Sequence, residues 1–100
     1  MYRIEAVSAV KKDMRKLPRA IMTLLEHKYF PALKFNPRVG EPLHQEFKGL
    51  WSYHFSHLTT QYRIVYEIDE VEQVIYVLLI GPPVRSAKPA YIARSSSKSS

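Results

Sequence analysis

Apolar positions along this chain keep a helical spacing in the first third and then switch to strict alternation. Tyr2 to Ala6 alternates and predicts a short first strand. Val7, Val10, Met14 and Leu17 then recur at spacings of three and four, the stripe of an amphipathic helix, with Ser8 placed to cap its start. Pro18 ends that helix and suits the first turn of another. Ile21, Leu24, Leu25 and Tyr29 form the second stripe. Pro31 interrupts or bends it, and Asn36-Pro37 closes it. The first third therefore reads as a strand followed by a helical hairpin.

Arg38 to Leu43, with Gly40 and Pro42, reads as a polar loop. From Leu50 the period becomes two. Trp51, Tyr53 and Phe55 alternate with Ser52, His54 and Ser56, as in a half-buried strand. Tyr62, Ile64, Tyr66 and Ile68 then alternate with Arg63, Val65 and Glu67, and Asp69 to Gln73 is a polar turn. Val74 to Ile80 is almost wholly apolar and predicts an interior strand buried on both faces. Three strands with short connections make an antiparallel meander. The helical pair must cover one face of it, because either layer alone leaves its apolar side in water. The fold class is α+β, an N-terminal strand and two-helix hairpin packed on an antiparallel sheet. The expected core is Ile4, Val10, Met14, Leu17, Ile21, Leu24, Leu25, Trp51, Ile64, Tyr66, Val77 and Leu79.

Gly81-Pro82-Pro83 stops the last long strand, and Arg85 to Ile92 reads as a short further edge element. Arg94 to Ser100 carries no apolar residue and is expected to be disordered. The expected organisation is one domain over residues 1–92 and a Ser-rich tail over 93–100.

Composition narrows the function classes. The chain has 100 residues and no cysteine, which excludes a thiol nucleophile, a Cys-ligated zinc site and a disulfide framework. His44, His54 and His57 share one stretch but lack carboxylates at ligand spacing, so neither a metal nor a cofactor is expected. No apolar run approaches the roughly 20 residues of a membrane span, and Met1 to Lys16 is not signal-peptide-like. A cytoplasmic location without membrane contact is the expectation. With 15 basic and 9 acidic residues the net charge is +6. The basic residues gather at Lys11, Lys12, Arg15, Lys16 and Arg19, and again at Arg85, Lys88, Arg94 and Lys98. Such a surface attracts phosphate backbones or an acidic protein partner.

The most specific motifs lie between Gly40 and Ile68. They are Gly40-Glu41-Pro42-Leu43, then Gly49-Leu50-Trp51-Ser52, then Tyr62-Arg63-Ile64-Val65-Tyr66, with Gly49 eight positions after Glu41. In this order, and over about residues 2–85, the chain resembles the RelE/ParE toxin superfamily, in particular its RelE-like and YoeB-like members. The resemblance implies a toxin held inactive by a cognate antitoxin in a hetero-oligomer. It implies a metal-independent endoribonuclease that cuts messenger RNA on the ribosome and so inhibits translation. ParE-like members instead poison DNA gyrase, and a degenerate toxin would only bind its antitoxin; both alternatives stay open.

RNA self-cleavage needs a proton acceptor for the 2′-hydroxyl, a counter-charge for the phosphate and a proton donor for the leaving 5′-oxygen. Arg63 lies in an apolar strand, on the face opposite Tyr62, Ile64 and Tyr66, and its guanidinium is a planar fork suited to phosphate. By resemblance Glu41 is the general base. His54 occupies a position where the family carries a basic residue, and an imidazole there can shuttle a proton or bind phosphate. Arg85 would hold a flanking phosphate, and Tyr91 would contact a base or the leaving group. The chain departs from the family pattern in three ways. Pro82-Pro83 replaces a basic pair, His54 and Ser56 stand where RelE-like members have lysines, and Ala87-Lys88-Pro89-Ala90 shifts the C-terminal tyrosine. These departures leave the general acid unassigned.

Overall fold

The computed structural model describes residues 1–82; Arg85, Tyr91, the expected element over 85–92 and the tail over 93–100 lie outside that range. The chain forms strand β1 (Arg3–Ala6), helix α1 (Ser8–Arg15) and helix α2 (Arg19–Leu24). A π-helical turn (Leu25–Tyr29) leads directly into helix α3 (Phe30–Phe35). Strand β2 (Glu41–Pro42) follows a 3-10 turn, and another 3-10 turn precedes β3 (Leu50–His57), β4 (Thr60–Asp69) and β5 (Val74–Gly81). The sheet order is β1-β5-β4-β3-β2. The meander of β3, β4 and β5 is antiparallel as the alternation predicts, while β1 pairs in parallel with β5, Ile4 opposite Ile75.

The helices cover one face of this sheet. Val10, Ile21, Leu25, Tyr29 and Leu33 meet Phe55, Tyr62, Ile64, Tyr66, Ile75, Val77 and Ile80 in the main core. Aromatic rings fill its β3 end: Tyr29 stacks on Phe55 at 4.2 Å between centroids, and Phe55 on Tyr62 at 5.3 Å. Of the expected core, Ile4, Met14, Leu17, Leu24 and Trp51 pack against this cluster while keeping part of their surface in water.

Ile21, Leu25, Tyr29 and Leu33 are spaced by four, and such a stripe drifts by about 40° per step around a helix of 3.6 residues per turn. The π turn absorbs that drift. Pro31 has no N–H to give to the carbonyl four residues back, and just before it Phe30 donates to Leu25, five residues back. The proline thus widens the helix and does not break it.

Two expectations are corrected. Ser8 does not cap α1: Val7 occupies the cap position and no side chain bonds there. The segment Arg38 to Leu43 is not wholly loop, because Glu41 and Pro42 pair with Ser52 and Trp51 as an edge strand.

Among the described residues, the second face of the sheet is covered at one end only. There Leu50, Val65 and Leu78 lie under Val7, Leu43, Phe47, Tyr76 and Leu79. A register shift in β5 against Val65 and Tyr66 puts Leu78 and Leu79 successively into this cluster. The other end of this face, beyond Ser52 and Val65, carries polar side chains.

The burial pattern separates adjacent leucines. Leu25→Ala empties a fully buried site and is expected to cost about 2–5 kcal/mol, whereas Leu24→Ala, at a half-buried site, costs about 1–2 kcal/mol. Urea unfolding of both variants measures the difference, and equal losses would mean that the helix is rotated from the orientation described.

Candidate active site on the open face of the sheet

Arg63 sits in the middle of this open region. Its cross-strand neighbours are His54 on β3 and Gly81 on β5, so all three share one face. Gly81 places no side chain beside the arginine, and its φ of +147° is one that residues with a Cβ rarely adopt. Arg63 is half-buried, and its Nε is enclosed without a hydrogen-bond partner among the described residues. A buried guanidinium nitrogen lacking an acceptor is costly unless something supplies one.

One row along, Ser52 lies between Glu41 on β2 and Val65 on β4. Ser52 is buried, and its Oγ lies 2.8 Å from His54 Nε2. The exposed Glu41 carboxylate is two strands from Arg63, roughly 10 Å across the sheet by ordinary strand spacing. Val39, Gly40, Glu41, Ser52, Tyr53 and His54 line an open cleft of about 160 Å³ where β2 parts from β3. The structure therefore brings Glu41, His54 and Arg63 to one continuous polar patch. Arg85 and Tyr91 lie outside the described residues.

The segment that carries Glu41 is anchored from the opposite side. The buried Tyr66 hydroxyl donates to the Pro37 carbonyl at 2.6 Å. Gly40 lies so close that a Cβ there would stand 2.5 Å from the Tyr66 oxygen and 2.8 Å from the Ser52 carbonyl oxygen. Only glycine fits that approach. Asn36 accepts from the Arg38 N–H, and the Arg38 guanidinium pairs with Glu70, which also accepts from the Tyr2 hydroxyl. Burial pushes the Tyr66 phenol up from 10.0 to about 12, with a smaller contribution from Tyr53 in the same direction and an opposing one from hydrogen bonding at Gly40.

Sequence patterning missed Ser52, Gly40 and Tyr66 as parts of this site. Ser52 reads as an ordinary polar residue on an alternating strand, and its contact with His54 depends on a rotamer. The available signal was the recurrence of Ser52 and His54 at a spacing of two, which puts both on the Arg63 face. Trp51 and Tyr53 pack against the helical core, as expected for aromatics on the other face. His57 is half-buried beside the β3–β4 turn, and the exposed His44 precedes the 3-10 turn Gln45–Phe47. The basic residues Lys11, Arg15 and Arg19 rim an apolar groove with Met14, Leu17 and Met22 in the helical layer, across the sheet from Arg63.

This fold and site define an α+β protein with a five-stranded sheet, one helical layer and a polar patch around a half-buried arginine. The chain belongs to the ParE-like toxins of type II bacterial toxin–antitoxin systems, whose family model matches residues 4–84. Comparison with curated protein sequences gives no match. Among solved structures, a chain of the RelBE2 toxin–antitoxin complex of Mycobacterium tuberculosis is 29% identical with a TM-score of 0.68, over 82% of this chain and 98% of that one. A double arginine-to-alanine mutant of the E. coli toxin RelE in the free state is 19% identical with a TM-score of 0.73, over 98% and 96%. The E. coli RelBE toxin–antitoxin complex gives 22% and 0.63, over 85% and 100%. The E. coli likenesses establish the RelE-like fold.

The Tyr66 anchor has a pH signature. A phenol with a raised pKa stabilises the folded state fully below about pH 10, and that contribution is lost as pH rises through about 12. Tyr66→Phe leaves the Pro37 carbonyl without its donor and should cost about 1–3 kcal/mol at neutral pH. The deficit should shrink from pH 10 towards 12, because the wild type then loses roughly 2–3 kcal/mol that the phenylalanine variant never had. Urea midpoints of both proteins across that range measure it; a constant gap would show that the hydroxyl does not carry the effect.

Proposed function

We propose that this toxin cleaves messenger RNA in the ribosome without a metal. The observation that carries the reading is the buried Nε of Arg63, which has no partner among the described residues, on a polar face beside His54 and within reach of the strand that bears Glu41. A phosphodiester supplies the acceptor that this nitrogen lacks. Arg63 binds the scissile phosphate and stabilises the charge that builds as the 2′-oxygen attacks. Glu41 takes the 2′-hydroxyl proton. His54 faces the same phosphate as a cation or a proton donor, Arg85 holds a flanking phosphate, and Tyr91 contacts a base or the leaving group. Ribosomes place the site of action in the cytoplasm.

The controlling partner in this reading is an antitoxin, as in the RelBE2 complex. An acidic, amphipathic segment suits the basic rim of the helical groove formed by Lys11, Arg15 and Arg19. The description of the family as ParE-like favours one second reading, a DNA gyrase poison, in which the Arg63 patch binds protein and performs no chemistry.

Arg63→Ala should cut cleavage of a ribosome-bound message by roughly 100- to 1000-fold while the protein stays folded. Arg63→Lys should recover only part of it, since a point charge does not reproduce the fork. Glu41→Gln should slow cleavage with ribosome binding unchanged. Primer extension reads the cuts, with circular dichroism as the folding control. Full cleavage by folded Arg63→Ala would refute the site. Inhibition of gyrase supercoiling, with no cleavage by the wild type, would replace the reading.

A further inference from the structure

The pairing of Ser52 with His54 settles what neither residue reveals alone. We propose that His54 is the general acid of the cleavage, giving its Nδ1 proton to the leaving 5′-oxygen, and that Ser52 is the positioning residue that reserves Nε2 and leaves Nδ1 to the substrate. This rests on the RNA-cleaving reading above and decides between the two roles that reading leaves to His54.

The geometry supports it in three ways. Ser52 Oγ is buried and lies 2.8 Å from Nε2, so this nitrogen is occupied from beneath by a group fixed in the sheet. His54 itself is exposed and directly opposite Arg63, so a phosphate held by the guanidinium lies beside the imidazole. Glu41 is paired across from Ser52 and lines the same cleft as His54, so the proton-accepting and proton-donating groups are two separate side chains of one cleft. Among the described residues, the charged groups on the strands flanking β3 are Arg63, Glu67 and Asp69 on β4 and Glu41 on β2.

A hydroxyl suits this position because it can both donate and accept. It accepts from Nε2–H when the ring is charged, and it still accepts after the Nδ1 proton has left, so the ring stays oriented throughout proton transfer. In the balanced step the 2′-oxygen forms a bond to phosphorus and its proton passes to Glu41. The phosphorus–O5′ bond breaks, and the O5′ takes the Nδ1 proton. The products are a 2′,3′-cyclic phosphate and a 5′-hydroxyl, with Glu41 protonated and His54 neutral; water then exchanges the protons back.

A leaving group that needs no proton tests this directly. Messages carrying sulfur in place of the bridging 5′-oxygen at the cut site are compared with ordinary messages on ribosomes, in single turnover. His54→Ala should slow the oxygen substrate by about 100-fold or more and the sulfur substrate by no more than about threefold. Ser52→Ala should show the same selective loss at smaller size, and Ser52→Thr, which keeps the hydroxyl, should restore it. Glu41→Gln should stay impaired on both substrates. Equal losses on oxygen and sulfur for His54→Ala would overturn the assignment and leave His54 as a phosphate contact. Failure of the wild type to cut either message would overturn the cleavage reading, and this inference with it. A readout independent of cleavage is the ring nitrogen spectrum of the protein labelled with ¹⁵N-histidine. Ser52→Ala should shift the Nε2 resonance of His54, and an unchanged resonance would show that the hydroxyl does not hold the ring.

Discussion

Everything in this molecule depends on the alternation of side chains along β4. The strand lies between β3 and β5, and its neighbours fix which side each residue faces. Tyr62, Ile64 and Tyr66 enter the helical core, so Arg63, Val65 and Glu67 must take the other face. A slip of one residue would put a guanidinium into the apolar layer and two tyrosines into water, at a cost comparable with the whole stability of a domain this small. The core therefore places Arg63. The open end of the second face then follows from how little covers it: Leu43 and Phe47 reach only as far as Leu50, Val65 and Leu78.

The same strand also locates Glu41, through the other face. Tyr66 passes its hydroxyl under Gly40 to the Pro37 carbonyl, so the segment preceding β2 is tied to the core by a residue two strands away. β2 itself is two residues long and includes a proline, too little to hold its own register. Its position comes from the buried hydrogen bond, from the close approach of Gly40 to the Ser52 carbonyl and from the ion pair of Arg38 with Glu70. The acidic cluster in the β4–β5 turn is accordingly structural. Glu70 holds Arg38 and Tyr2, and Asp69 accepts from the Glu72 N–H.

How much was legible in the sequence follows from the range of each interaction. The helical stripes, the two alternating strands and the face of Arg63 are consequences of period and were readable directly, and the third strand of the meander was readable as an apolar run. The parallel pairing of β1 with β5 depends on contacts more than seventy positions apart, which no local period records. The β3–β4 connection was readable as short, but its backbone form was not, because Leu58 takes a φ of +56° there, a conformation normally signalled by glycine or asparagine. The π turn was visible only as a proline in an otherwise helical stripe. In the site, Arg63, Glu41 and His54 could be singled out by residue type and by family resemblance. Ser52 and Tyr66 could not, because their importance lies in a single oxygen atom meeting a partner across the fold.

Arg63 shows where folding and the site are in conflict. The described residues enclose its Nε without giving it an acceptor, and a buried unsatisfied donor costs about 1–3 kcal/mol, a sizeable share of the 5–15 kcal/mol typical of a whole domain. A leucine at this position would pack against Val65 and the strand backbone without that cost, and a glutamate directly opposite it on β3 would neutralise it. The chain has instead placed at its two sides an exposed histidine and a glycine with open space above it. That choice leaves the guanidinium desolvated, fixed in direction and open on one side, in surroundings where its attraction for an anion is stronger than in water. The free energy that folding forfeits at Nε is returned when an acceptor arrives, and an oxygen of a phosphodiester matches both the charge and the planar fork. The buried side-chain nitrogen left without a partner among the described residues is thus the one around which the polar face is arranged.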